Sequence, residues 1–333
     1  MAETSLLVAA EDGDLPRVPL GDWIDTGLDW LTDNFSPVFD AISTGTEAGV
    51  ESLRDALLFL PPIVFAVLLA VLGGVVRSVR FAVVSLLGLL LMISMRMWDP
   101  AMATLALVLV SAVIAVAIGI PIGIAAAKSD RISAVLRPVL DFMQTMPAFV
   151  YLVPAVTFFG IGLVPGVVTT IIFAMPPGVR LTELGIRQVD KELVEAGHAF
   201  GSPPGRILRG VQLPLALPTI MAGVNQVIML ALSMAVIAGL IGAAGLGGVV
   251  VTSISRLDVG LGFEGGLSVV ILAIYLDRLT SAFGQRRGRL SGFPSFLSRG
   301  GTVGKAGLAA SSRSADAVMP VGTDQNSPNR PAR

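Results

Sequence analysis

The 333-residue chain contains no cysteine, which excludes a disulfide framework, a thiol nucleophile and a cysteine metal site. Its single histidine, His198, sits in a polar loop and reads as a surface residue rather than a ligand. Charge is scarce as well: Asp, Glu, Lys and Arg make up 14% of the residues, while 53% are hydrophobic. That balance excludes an ordinary soluble domain and places the chain in a bilayer. No serine–histidine–aspartate set, paired-carboxylate site or metal cluster emerges. No catalysis, metal or bound cofactor is therefore expected of this chain, and no nucleic-acid partner. The start, Met1-Ala2-Glu3-Thr4, lacks the basic n-region and early apolar core of a cleavable signal peptide.

What is present is a series of apolar runs. Seven stretches, near 57–76, 81–98, 101–127, 146–163, 164–180, 216–241 and 262–280, approach the roughly 20 residues that cross a hydrocarbon core as helix. Pro147, Pro154 and Pro165 interrupt the fourth and fifth, so these two are expected to line the interior of a bundle, where freed backbone groups find partners. Gly119 and Gly123 form a small-xxx-small pair suited to close helix packing. The glycines at 239, 242, 245, 247 and 248 fit a flexible extracellular hairpin or another close packing of helices; without a βαβ context they are not a dinucleotide loop.

Ahead of the first run, residues 1–56 form an acidic segment. Residues 1–55 hold twelve Asp or Glu and two Lys or Arg. Trp23, Trp30, Leu31 and Phe35 fall on one helical face and Asp22, Asp25, Asp29 and Asp33 on another, as in an amphipathic helix lying in an interface or on a partner. Ser36-Pro37 reads as the start of a second helix. After residue 284 the chain turns to Gly, Ser, Arg and Pro and reads as a disordered cytoplasmic tail to 333. Its Gly301-Thr302-Val303-Gly304-Lys305-Ala306 is not a phosphate loop, because the leading glycine is misplaced and Ala306 replaces the Ser or Thr.

Orientation follows from the basic residues. With the N-terminus outside and seven spans, the inner loops and tail hold nineteen Lys or Arg and the outer segments four: Arg17, Arg54, Arg96 and Arg256. The loop 181–214 then lies in the cytoplasm. Within it Asp190 reads as an N-cap with Val189 and Val194 as a hydrophobic staple, and Gly201 ends the helix. Ser202 is expected to cap a second helix with Pro203 at its first position. Val189, Leu193, Ala196, Gly197 and Phe200 make a narrow apolar stripe beside Lys191, Glu192 and Glu195, and the small residues let another surface approach closely. On spacing alone the stretch fits either a docking helix or an amphipathic surface helix between two spans.

Glu195-Ala196-Gly197, three residues, Gly201, nine residues, then Val211-Gln212-Leu213-Pro214 resembles the EAA loop of ABC-importer permeases. In that family the loop is the coupling helix that seats on the ATPase subunit, which implies that role for Glu195, Ala196, Gly197, Gly201, Leu213 and Pro214. Four further runs, over Leu140–Tyr151, Pro176–Glu183, Leu213–Ile220 and Arg256–Leu261, are similar to the glycine betaine/proline betaine permeases, with a dense match from 137 to 283. The resemblance implies an all-α integral membrane protein of the type I importer permease fold. It further implies a multi-pass location in the inner or plasma membrane, a separate ATPase carrying ATP and Mg, an extracytoplasmic binding protein and a second permease copy. The near absence of ionisable residues within the spans agrees, since a proton- or ion-driven carrier commonly keeps them there.

A quaternary ammonium donates no hydrogen bonds and favours aromatic faces. Phe142 and Phe149, and Tyr151 and Phe158, are each seven apart and so expected to share helix faces along a substrate pathway, with Gln144 and Thr145 meeting a carboxylate. The same aromatics also fit lipid-facing or packing positions. Choline, carnitine, ectoine or an amino acid are alternative solutes for the same architecture, and a stand-alone osmotic channel or carrier is a further alternative.

Overall fold

In the computed structural model, residues 19–290 are described, and every regular element among them is a helix. Residues 1–18 and the tail beyond 290, with its Gly301–Ala306 run, lie outside the described residues. Helix α1 spans Leu20–Leu58 and bends at Phe35 (φ −119°, ψ 16°), two residues before Pro37. The expected second helix at Ser36-Pro37 is thus a continuation across a kink. Pro61 and Pro62 end α1 and open α2 (Pro62–Val76), which leaves at 97°. The Ser78 hydroxyl caps α3 (Val79–Ser94) by accepting from the Phe81 N–H at 3.3 Å. Arg96, with a positive φ of 58°, makes the turn into α4 (Trp98–Lys128).

Helix α5 (Asp130–Thr145) starts at the Ser129 cap and stops where Met146 precedes Pro147. A proline disfavours helical ψ in the residue before it, and Met146 is extended at ψ 133°. A 3₁₀ turn (Ala148–Tyr151) and the eight-residue α6 (Leu152–Phe159) follow at 106° to α5. Eight helical residues rise about 12 Å, so the proline-interrupted fourth run over 146–163 is too short to cross by itself and is half of a bent pair. Helix α7 (Leu163–Arg187) runs through Pro176 and Pro177, both buried, and beyond the expected end at 180. Then come α8 (Lys191–Ala199), a short α9 (Pro204–Ile207), a π turn (Leu208–Gln212) and α10 (Leu213–Ala238). The last two helices are α11 (Leu246–Arg256) and α12 (Val259–Leu290). Helix α12 continues to Leu290, past the tail boundary expected after 283.

By length and composition, α4, α7, the Pro204–Ile241 run and the Val259–Ala282 part of α12 are each sufficient to cross a bilayer. The count rises to six if each bent pair makes one crossing, against the seven runs of the sequence; α3 is shorter than a full span.

Helices α4, α7 and α10 form the packed centre, drawn together by glycine. A Cβ on Gly123 would stand 2.6 Å from the Val179 carbonyl oxygen and from the Thr182 Cβ. Gly185 of α7 meets α10 in the same way, with a Cβ position 3.2 Å from the Ala216 oxygen. In lipid, where apolar burial gives no net drive, such backbone approach is what dispersion needs. Gly119 and Gly123 therefore pack α4 on α7. The glycine-rich hairpin is also close packing: a Cβ on Gly247 would lie 2.5 Å from the Val236 oxygen, and the Leu246 N–H donates to the Thr104 hydroxyl at 2.8 Å.

Candidate functional site

The loop expected to couple is built in four steps. Asp190 caps α8, its carboxylate accepting from the Glu192 N–H at 3.0 Å. Val194 and Gly197 turn inward, and the space Gly197 leaves is taken by buried Ile207, whose Cγ1 would be 3.1 Å from a Cβ there. The helix then ends in a Schellman motif. Gly201 N–H donates to the His198 carbonyl at 2.9 Å, and Ser202 N–H to the Gly197 carbonyl at 3.1 Å, with Gly201 at φ +72°. The second helix begins one residue later than expected: Pro203 is its cap and Pro204 its first residue, and Ser202 makes no side-chain cap.

No residue of α8 is buried. Leu193, Ala196 and Phe200, at i, i+3 and i+7, face outward, with Phe200 88% exposed. Glu195 lines a cavity of about 200 Å³ with Lys191, Arg187 and Gln212. Leu213 packs against the small inner core of Ile186, Leu208, Ala216 and Ile220, whereas Pro214 is exposed. The six coupling-loop residues thus lie along one stretch that runs from α8 through α9 and the π turn into the start of α10, with α8 seated on Ile207 and open on its outer side.

The aromatic set does not converge. Phe142 is on α5 and Phe149 beyond the 106° bend, so the two share no helix face, and both are more than half exposed. Tyr151 packs edge-on to Phe173 at 6.1 Å, and its hydroxyl donates to the Met143 carbonyl. Phe158 stacks on Phe39 of α1 at 4.7 Å. Thr145 donates to the carbonyl of Phe142, and Gln144 is exposed.

Sequence reading missed a polar seam between α5 and the C-terminal half of α7. Arg187 Nη1 donates to Asp130 at 2.7 Å and its Nε to Glu183 at 3.0 Å. Ser133 Oγ donates to Glu183 at 2.7 Å, and Arg180 pairs with Asp141. Its signal lies in the i, i+3, i+7 spacing of 180, 183 and 187 and of 130, 133 and 137, in segments some fifty residues apart (Ser133 to Glu183 spans 50).

Residues 119–289 match the family described as binding-protein-dependent transport system inner membrane component. The chain is 50% identical over 266 residues to the glycine betaine transport system permease protein OpuAB of Bacillus subtilis (strain 168), covering 80% of this chain and 94% of that protein. It is likewise 50% identical over 276 residues to the glycine betaine/carnitine transport permease protein GbuB of Listeria monocytogenes (strain 10403S), covering 82% and 98%. In fold it is similar to a chain of the inward-facing MetNI methionine ABC transporter, with a TM-score of 0.52 at 22% identity over 55% of this chain and 92% of that one. Helical architecture and these matches define a multi-pass membrane permease of the type I importer fold. The chain belongs to the family of binding-protein-dependent transport system inner membrane components.

Proposed function

We propose that the chain is the membrane subunit of an ATP-driven importer of glycine betaine, proline betaine or related quaternary ammonium osmoprotectants. The observation that carries this reading is the 50% identity to a glycine betaine permease along 94% of that protein's length. Hydrolysis occurs on a separate ATPase, an extracytoplasmic binding protein delivers the solute, and a second permease copy completes the pathway. An outside N-terminus and an inside C-terminus are favoured by the nineteen-to-four distribution of basic residues, a reading that needs the shorter α3 to cross as well and make the count seven.

In this scheme Glu195, Ala196, Gly197 and Gly201, with Leu213 and Pro214 at the root of α10, form the coupling unit. ATP binding closes the ATPase pair, which pushes on the outward stripe of Leu193, Ala196 and Phe200, and α8 passes the push to α7 and α10 as a rigid lever. Phe142, Gln144, Thr145, Phe149, Tyr151 and Phe158 are assigned to the pathway only in the assembled pair, where a second copy supplies the other wall.

The test is uptake of labelled glycine betaine into vesicles carrying permease, ATPase and binding protein. ATP-dependent accumulation is expected; accumulation that persists with a hydrolysis-dead ATPase sinks the reading. Carnitine is the second solute to assay, because a relative of equal identity carries it in its name.

A further inference from the structure

We propose that the α5–α7 seam is the link through which the coupling helix moves the bent α5–α6 segment, with Asp130, Ser133 and Asp141 on one side and Arg180, Glu183 and Arg187 on the other as positioning residues. The inference rests on the importer reading and supplies the residues that carry its lever.

Helix α5 has little else to hold it. Only Ser133 and Leu140 are buried on it, while Val135 (68% exposed) and Phe142 (63%) face away from the rest of the chain. Along its other side Asp130, Ser133, Arg137 and Asp141 form one stripe, antiparallel to Arg187, Glu183 and Arg180. Glu183 is the hub: its carboxylate, 10% exposed, takes Ser133 Oγ at 2.7 Å, Arg187 Nε at 3.0 Å and Arg137 Nη2 at 3.6 Å. The outer rungs, Arg187–Asp130 and Arg180–Asp141, are partly exposed, and such pairs are weak singly. Acting together with a nearly buried carboxylate that takes three partners, they fix the register of α5 on α7.

Each end of the seam leads to a different moving part. Arg187 is the last residue of α7, and Asp190, the cap of α8, follows after two residues. At the far end of α5 the Tyr151 hydroxyl holds the Met143 carbonyl across the bend, so α5 and the Ala148–Tyr151 turn shift as a unit. A displacement of α8 therefore passes through α7 and the seam to α5, and on to α6.

Two measurements test this. The first is the coupling ratio, betaine imported per ATP hydrolysed, in the full complex. Glu183→Gln is expected to lower it about tenfold and Asp141→Ala about threefold, with basal hydrolysis unchanged, and the exchanged pair Asp141→Arg with Arg180→Asp is expected to restore it. Wild-type ratios in Glu183→Gln and Asp141→Ala, or a reduced ratio that the exchange leaves unrestored, overturn the inference. The second is hydrogen exchange on the purified permease, which needs no solute: Glu183→Gln is expected to speed exchange over 130–145 and 148–159 together while 98–128 keeps wild-type rates. Unaltered exchange in α5 overturns the inference whatever solute is carried. A wild-type complex that hydrolyses ATP and imports no betaine removes the substrate reading instead, and leaves the exchange result to decide the seam.

Discussion

Three residues separate the most enclosed helix of the bundle from one that encloses nothing. Helix α7 buries fifteen of its 25 residues, and α8, after Gln188, Val189 and Asp190, buries none. In α7 small and β-branched residues let α4 and α10 close in on both sides, so its position is fixed by backbone contact. In α8 the position is fixed only by end chemistry, the Asp190 cap and the Gly201 stop, and by the single seat on Ile207. The contrast separates two kinds of constraint: α7 is held along its length by its neighbours, and α8 is held at its ends and at Ile207 alone.

Substitutions can be ranked by how hard they strike this contrast. Gly123→Leu puts a side chain into the α7 backbone and is expected to cost about 3 kcal/mol, read as a lower unfolding temperature of the purified permease. Equal unfolding temperatures would mean that α4 does not pack on α7 as described. Gly201→Val forces a β-branched residue to φ +72°, a strain of about 1–2 kcal/mol confined to the end of α8. Insertion is expected to survive while hydrolysis is no longer matched to uptake; normal matching counts against the lever. Asp190→Ala removes the cap for about 1 kcal/mol, visible as faster amide exchange over 191–194 and not over 163–187. Phe200→Ala, at an 88% exposed site, is expected to leave stability within about 0.5 kcal/mol and to weaken co-purification with the ATPase.

The ends of α8 are legible in sequence because capping is local: Asp190 accepts from a residue two positions on, and Gly201, lacking a Cβ, takes its positive φ without strain. Helix α5 is harder to see. Its apolar residues are spaced by charges, so it lacks the hydropathy of a span, and its partners on α7 are fifty residues away. One clue was available: Met146 precedes Pro147, and that pair already argues for a break that parts Phe142 from Phe149. The expected end of this span at 180 falls short because buried contacts with α4 and α10 carry α7 through Pro176 and Pro177 to Arg187. Periodicity reports what one helix does alone, whereas the α5–α7 seam and the run of α7 past 180 arise where two helices decide the outcome.

The backbone of α10 near Val236 touches Gly247 of α11, and Thr104 of α4 grips the next amide, that of Leu246. This makes the 239–248 hairpin an elbow cast in one piece rather than a flap. Any tilt of α10 must therefore carry α11 with it and be felt by α4. A methyl group at Gly247 would act as a wedge in that joint.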